Sequence, residues 1–256
     1  MSKIEQNIAH VVTWLRERVQ AARADGLIVG ISGGVDSAVV SFLIKQACPD
    51  HSLGVIMPCH SNARDEEDAQ KVVAASGIDC VTIDVSAPHR TLQQTVEAQL
   101  TAAGKVASRP EIERLRDANL RARVRMATLY TVANDFNYLV VGTDNRAEYY
   151  TGYFTKYGDG GVDLQPLARL LKREVYDWAR HLGVPESVCN RPPSAGLWEG
   201  QEDETEMGTT YAAIDAFLAG EAVAARDRGV IENMHRRTEH KRHTPPIPPP
   251  FPKADD

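Results

Sequence analysis

Short apolar runs and longer amphipathic stretches take turns along the chain as far as Gly142. The runs at 27–31, 53–57, 80–84 and 138–142 are rich in Leu, Ile and Val, as buried strands are. Residues 3–24 place Ile4, Ile8, Val11, Val12, Leu15 and Val19 at helical spacing. That stripe predicts an amphipathic helix packing on the domain or on a partner chain. Further helices are predicted over 37–47, 62–75, 89–103 and 112–134. The 62–75 segment has acids in its first turn, where the helix dipole favours them, and stops at Gly77. Strands alternating with helices predict an α/β fold with a doubly wound parallel sheet and extra helices at both ends. Such sheets bind ligands beyond the carboxyl ends of their strands. Ser32 and Thr143, after the first and fourth strands, mark the place to look.

Beyond Gly142 the pattern loosens. Residues 143–148 are polar, and 155–161 form a glycine-rich loop holding Lys156 and Asp159, with Asp163 just after. Its glycines allow either a lid that orders over substrate or a flexible surface connection. A helix is predicted over 167–182, carrying Lys172 in its first turns. Residues 191–198 are stiff and irregular, and 199–206 hold five acids and read as a solvated loop. Helices follow at 205–219 and 221–242. The proline-rich tail, 244–256, is neither helix nor central strand. The whole of 1–256 reads as one domain.

The chemistry concentrates at Gly30-Ile31-Ser32-Gly33-Gly34-Val35-Asp36-Ser37, a tight turn between strand and helix. A helix N-terminus offers unpaired N–H groups to an oxyanion or pyrophosphate. Asp36 is the exception, because a carboxylate repels phosphate unless a divalent cation lies between them. It therefore reads as a Mg²⁺ ligand. The string is neither a Walker A loop nor Gly-x-Gly-x-x-Gly. The bland alternative is a glycine turn with a helix cap.

Composition narrows the function. A net charge of −6 argues against a nucleic-acid partner, whose phosphates need a basic face. The four cysteines show no paired spacing, so a reducing cytoplasm is the default. No apolar run reaches the length of a membrane span, and the first residues lack a signal-peptide core. Arg121, Arg123 and Arg125 are sorted by helical geometry. At about 100° per residue, Arg121 and Arg125 share a face while Arg123 points to the side of Leu120, Met126 and Tyr130. An arginine there needs an anion, from a structural ion pair or a ligand phosphate. The basic run at 235–243 alone reads as a solvated helix face.

Taken in order, several motifs resemble those of the ammonia-dependent NAD⁺ synthetase family, over nearly the whole chain. They are Ser32-Gly-Gly-Val-Asp-Ser37, Asn119-Leu-Arg-Ala-Arg-Val-Arg-Met126, Val141-Gly-Thr-Asp-Asn-Arg-Ala-Glu148 and Phe154-Thr-Lys-Tyr-Gly-Asp-Gly-Gly161. Lys172-Arg-Glu-Val-Tyr176, Arg191-Pro-Pro-Ser-Ala195 and Thr238-Glu-His-Lys-Arg242 complete the set. The resemblance implies a Rossmann-like fold of the adenine nucleotide alpha hydrolase type. It implies that deamido-NAD⁺ is adenylated by ATP, losing pyrophosphate, and that ammonia then displaces AMP. Carried over, Gly30, Ile31, Ser32, Gly33, Gly34, Val35, Asp36 and Ser37 hold ATP phosphates, with Thr143, Lys172 and Ser194 also on ATP. Asp36 and Glu148 would bind Mg²⁺, and Asp36 and Lys172 would carry the catalysis. Arg123, Lys156, Asp163, His240 and Lys241 would contact deamido-NAD⁺. A homodimer sharing that site is implied, with the stripes at 3–24 and 112–134 as candidate interfaces. Gly196 stands where the family usually has Asp, leaving Glu199 or Glu202 as substitutes. Only about 26 residues precede the first strand, which leaves no room for the amidase domain of glutamine-using relatives. The rival readings are a GMP synthetase-like ligase, a tRNA thiolase or a non-catalytic nucleotide-binding protein.

Overall fold

The computed structural model describes residues 1–105, 110–193 and 203–251. Helix α1 (Lys3–Ala22) opens on a reciprocal cap, in which Glu5 N donates to Ser2 Oγ and Ser2 N donates to Glu5 Oε2. Then come β1 (Gly26–Gly30), α2 (Val35–Ala47), β2 (Ser52–Ile56), α3 (Ala63–Ser76), β3 (Asp79–Thr82), α4 (Ser86–Ala102), α5 (Pro110–Phe136) and β4 (Tyr138–Val140). The second half holds α6 (Arg146–Thr151), α7 (Lys172–Leu182), α8 (Glu186–Cys189), α9 (Asp203–Met207), α10 (Tyr211–Leu218), α11 (Ala225–Arg237) and a 3-10 turn, Glu239–Lys241.

The strands form one parallel sheet in the order β3-β2-β1-β4, the doubly wound arrangement the alternation predicts. Alternate residues of central β1 serve opposite faces. Leu27 and Val29 join Leu15, Val39, Leu43, Val175 and Trp178 of α1, α2 and α7. Ile28 joins Val55, Val140 and, from α5, Leu129. Helices therefore cover both faces. The chain order reverses around β1, so the loops after β1 and β4 open side by side.

The stripe on α1 is consumed within the chain. Ile8, Val12 and Leu15 are buried in the main core, and Ile4, Val11 and Val19 pack against it. The stripe thus follows the first of its two expected alternatives, packing on the domain. Exposed apolar side chains lie elsewhere, at Leu92, Val96 and Leu100 on α4 and at Ile112 and Leu115 on α5.

Four expectations are corrected. The helix expected at 167–182 starts at Lys172, because its first amides are capped from a distance: Lys172 N and Arg173 N each donate to Asp215 at 2.9 Å. The helix expected at 205–219 is broken at Gly208, whose φ is 71°, and restarts on the Thr210 cap. The segment expected as one helix over 221–242 is α11 and the 3-10 turn. The acid run is not all solvated loop: α9 begins at Asp203, which is 5% exposed, and residues 199–202 lie outside the described residues. The tail has no helix or strand and is exposed as far as it is described, to Phe251.

Leu15 has no exposed surface and touches the layer joining α1 to α2 and α7. Leu15→Ala is expected to cost about 3 kcal/mol, read as a lower urea midpoint at unchanged slope.

Candidate active site

The loop after β1 is tied to itself before it meets any ligand. Ser32 Oγ lies 3.1 Å from Ser37 Oγ, Gly34 N donates to Ser32 Oγ at 3.2 Å, and Ser37 Oγ donates to the Gly34 carbonyl at 3.0 Å. Gly33 has φ 82°, and a Cβ there would stand 2.5 Å from the Asp65 carbonyl of α3. Only glycine lets the turn lie against α3 in that conformation. Gly34 is the N-cap of α2, so the first-turn amides of that helix face the space above the sheet.

Asp36, in that first turn, meets two residues from the β4 side. Asn145 Nδ2 donates to its Oδ1 at 2.9 Å, and Lys172 Nζ lies 2.5 Å from its Oδ2. Lys172 Nζ is also 3.4 Å from Glu148 Oε1. Asn145 starts α6 and holds both ends of its first turn: its Oδ1 accepts from Ala147 N and Glu148 N, while its own N donates to Glu148 Oε2 at 3.1 Å. Tyr211 donates its hydroxyl to Glu148 Oε1 at 2.8 Å, and Lys172 Nζ sits 4.7 Å from its ring centre.

Lys172 is 4% exposed. Burial alone would lower its pKa, but the Asp36 and Glu148 carboxylates outweigh it and hold the ammonium charged well above the usual range. Burial pushes Glu148 up to about 7, with Lys172 opposing the shift and Asp36 adding to it. Asp144 is 4% exposed and is likewise pushed up, first by burial; Gln165 Nε2 donates to it at 3.0 Å.

These groups line a cavity of about 600 Å³. Its wall includes Gly30, Ile31, Ser32, Gly34, Val35, Asp36, Ser37, Thr143, Glu148 and Lys172, together with Arg123, Lys156, His240 and Lys241. Gly33 is turned towards α3. Asp163 is not in the wall; its carboxylate accepts from Tyr130 at 3.0 Å and from Val140 N at 2.8 Å. Ser194, Gly196, Glu199 and Glu202 lie outside the described residues.

The three arginines of α5 separate as the helical wheel predicts. Arg121 donates to the Cys59 carbonyl and pairs with Asp117, and Arg125 donates to the Met57 carbonyl and to Ser61. Arg123 makes no ion pair among the described residues, and donates to the Lys156 carbonyl at 3.3 and 3.4 Å. Lys156 Nζ donates to the His240 carbonyl, and Lys241 Nζ reaches those of Gly152 at 2.8 Å and Phe154 at 2.5 Å. The glycines of the 155–161 loop have packing roles. A Cβ on Gly158 would meet that of Ala122 at 2.9 Å, and one on Gly160 would meet the Phe154 ring at 2.4 Å.

Asn145, Tyr211 and Asp203 were not legible as site residues. An Asn-x-x-Glu capping box could have found Asn145; nothing local marks the other two.

The description "NAD synthase" belongs to the family whose model matches residues 7–245. The chain belongs to that family. The NH(3)-dependent NAD(+) synthetase of Alkaliphilus oremlandii is 57% identical over 96% of this chain and 97% of its own. That of Alkaliphilus metalliredigens is 53% identical over 96% and 99%. Among solved structures, an NMN synthetase from Francisella tularensis has a TM-score of 0.87 at 35% identity, covering 97% of this chain and 99% of its own.

The Glu148 shift has a sign that can be checked in this NAD synthase family member. An acid whose folded pKa is raised stabilises the fold below its ordinary pKa, and that contribution is lost as pH rises through the folded value. Between pH 4.5 and about 7, stability without ligand is expected to fall by on the order of 2 kcal/mol through this group. Glu148→Gln should flatten that part of the profile in urea midpoints taken at successive pH values.

Proposed function

We propose that the protein joins ammonia to the nicotinate carboxyl of deamido-NAD⁺ at the expense of ATP, giving NAD⁺, AMP and pyrophosphate. The observation that carries this reading is one cavity lined by both sets of groups. Lys172, Asp36 and Glu148 meet beside the glycine loop, and Arg123, Lys156 and Lys241 join the same wall. The family and the ammonia-dependent relatives support it.

In this reading the amides of the loop and Lys172 take the phosphates of ATP, and Lys172 meets the charge on departing pyrophosphate. Asp36 and Glu148 suit Mg²⁺, which is commonly held by one or two carboxylates and completed by phosphate oxygens. When bound, that ion offsets charge on the triphosphate and the leaving pyrophosphate. Arg123, Lys156 and Lys241 keep their charge for phosphates of the acceptor, with His240 beside them. The carboxylate attacks the α-phosphorus, pyrophosphate leaves, and ammonia then attacks the acyl-adenylate and releases AMP. Four free cysteines fit a reducing cytoplasm. Among the described residues no helix is long and apolar enough to cross a membrane.

The likeness to an NMN synthetase favours a second acceptor, nicotinic acid mononucleotide, which has the same carboxylate and a single phosphate. The deciding experiment offers ATP, Mg²⁺ and ammonium with either nucleotide. Faster NAD⁺ formation from the dinucleotide is expected, and a preference for the mononucleotide would move the reading to the second acceptor. Glutamine replacing ammonium should give no product. Asp36→Asn should lower turnover about a hundredfold, through loss of a charge facing pyrophosphate.

Assembly as a homodimer fits the exposed leucine, valine and isoleucine side chains of α4 and α5. Light scattering should give about twice the 28.1 kDa chain mass. A charge placed in that patch by Val96→Glu should shift the protein towards monomer; a monomeric wild type would remove the dimer.

A further inference from the structure

Helix α10 carries no residue with an evident role in ATP or substrate chemistry, yet two of its side chains converge on Lys172. Tyr211 and Asp215 are one turn apart and share a face of the helix. Asp215, 2% exposed, accepts from Lys172 N and Arg173 N at 2.9 Å each. Tyr211, 4% exposed, donates to Glu148 Oε1 at 2.8 Å and turns its ring towards Lys172 Nζ at 4.7 Å. The same hydroxyl lies 3.2 Å from Asp203 Oδ2, so its single hydrogen faces two carboxylates and is nearer to Glu148. The helix is itself fixed: Tyr211 N donates to Glu204 Oε1 at 2.8 Å, and Ile214 is buried with Ala147 of α6 and Ile231 of α11.

We infer that Tyr211 and Asp215 are positioning residues for Lys172 and Glu148. Asp215 fixes where the lysine backbone starts, and Tyr211 fixes where the ammonium and its glutamate partner end. A lysine at the first position of a helix sits against the positive end of the dipole and gains nothing locally from being there. The cap from Asp215 offsets that by placing a carboxylate on the same amides. The aromatic face and the hydroxyl then leave the two charged side chains a single arrangement above the loop. Preorganisation of this kind acts on the rate more than on ground-state binding of ATP.

The inference rests on the proposed reaction for its kinetic readout, and a second readout is independent of it. Tyr211→Phe keeps the ring and removes the hydroxyl. It is expected to lower kcat about tenfold while the KM for ATP stays within about twofold. Binding of Mn²⁺ in the presence of ATP alone, followed by the loss of the free-ion electron paramagnetic resonance signal, should weaken severalfold. Asp215→Ala should lower kcat in the same way, and Asp215→Asn, which keeps one acceptor, should recover part of the loss. Wild-type kcat and Mn²⁺ binding in Tyr211→Phe would overturn the role of the hydroxyl. So would a kcat loss that vanishes when rates are normalised to folded protein. Equal losses in Asp215→Asn and Asp215→Ala would overturn the role of the cap. If the wild type made no NAD⁺, the proposed reaction would fail, and the Mn²⁺ comparison would still decide the positioning.

Discussion

Lys172 is the constraint around which the second half of the chain is built. It is a buried cation at the start of a helix, and neither property is stable by itself. Taking an ammonium out of water costs several kcal/mol, and a partner charge about 4 Å away returns about 4 kcal/mol at an intermediate dielectric. One carboxylate would leave little margin. The protein supplies two, Asp36 from the β1 side and Glu148 from the β4 side, so that the lysine joins the two loops that the sheet opens next to each other. Two carboxylates against one ammonium leave an excess of negative charge, and the Glu148 carboxyl is pushed up by burial first, with Asp36 adding to the shift and Lys172 opposing it.

That excess explains the architecture behind the site. Glu148 has both oxygens engaged, one by Asn145 N and the other by Tyr211 and Lys172. Tyr211 lies between Glu148 and Asp203, and Tyr153 lies between Asp203 and Glu206, at 3.2 and 2.7 Å. Carboxylates and phenols alternate outward from the lysine, so neighbouring acids are separated by a donor. Direct contact between those acids would be repulsive. The phenols stand between acids of α6 and α9, and Glu148, Asp203 and Glu206 all reach the cavity wall.

What the sequence revealed followed the range of the forces involved. The sheet was legible because its strands are continuous apolar runs and its helices have periodic faces, both local patterns. The glycine loop was legible because phosphate chemistry demands small residues next to a helix start. The start of α7 was not, because the cap that ends its preceding turn is Asp215, 43 residues further on. Tyr211 is missed for the same reason: a tyrosine on an apolar helix reads as core until its hydroxyl is seen on Glu148. The stripe of α1 shows the limit from the other direction. Periodicity reveals that a face is buried but not what buries it, and here the answer is the chain's own α2 and α7.

Arginines and lysines on and near the cavity wall fall into two groups, in a chain of net charge −6. Arg121 and Arg191 lie near the site but are committed, to Asp117 and to Asp65. Arg123, Lys156 and Lys241 donate instead to backbone carbonyls of the 152–156 segment and of His240. A carbonyl satisfies a donor without cancelling its charge, and of the three cations Lys241 also feels the carboxylates of Asp159 and Asp144. Exchanging such a bond for one to a phosphate keeps the donor satisfied and gains a charge-assisted contact. Breaking an ion pair to the same end would strand a carboxylate. An anionic substrate would thus meet cations that give up only backbone carbonyls, with Asp144 and Asp159 acting on Lys241 from the same wall.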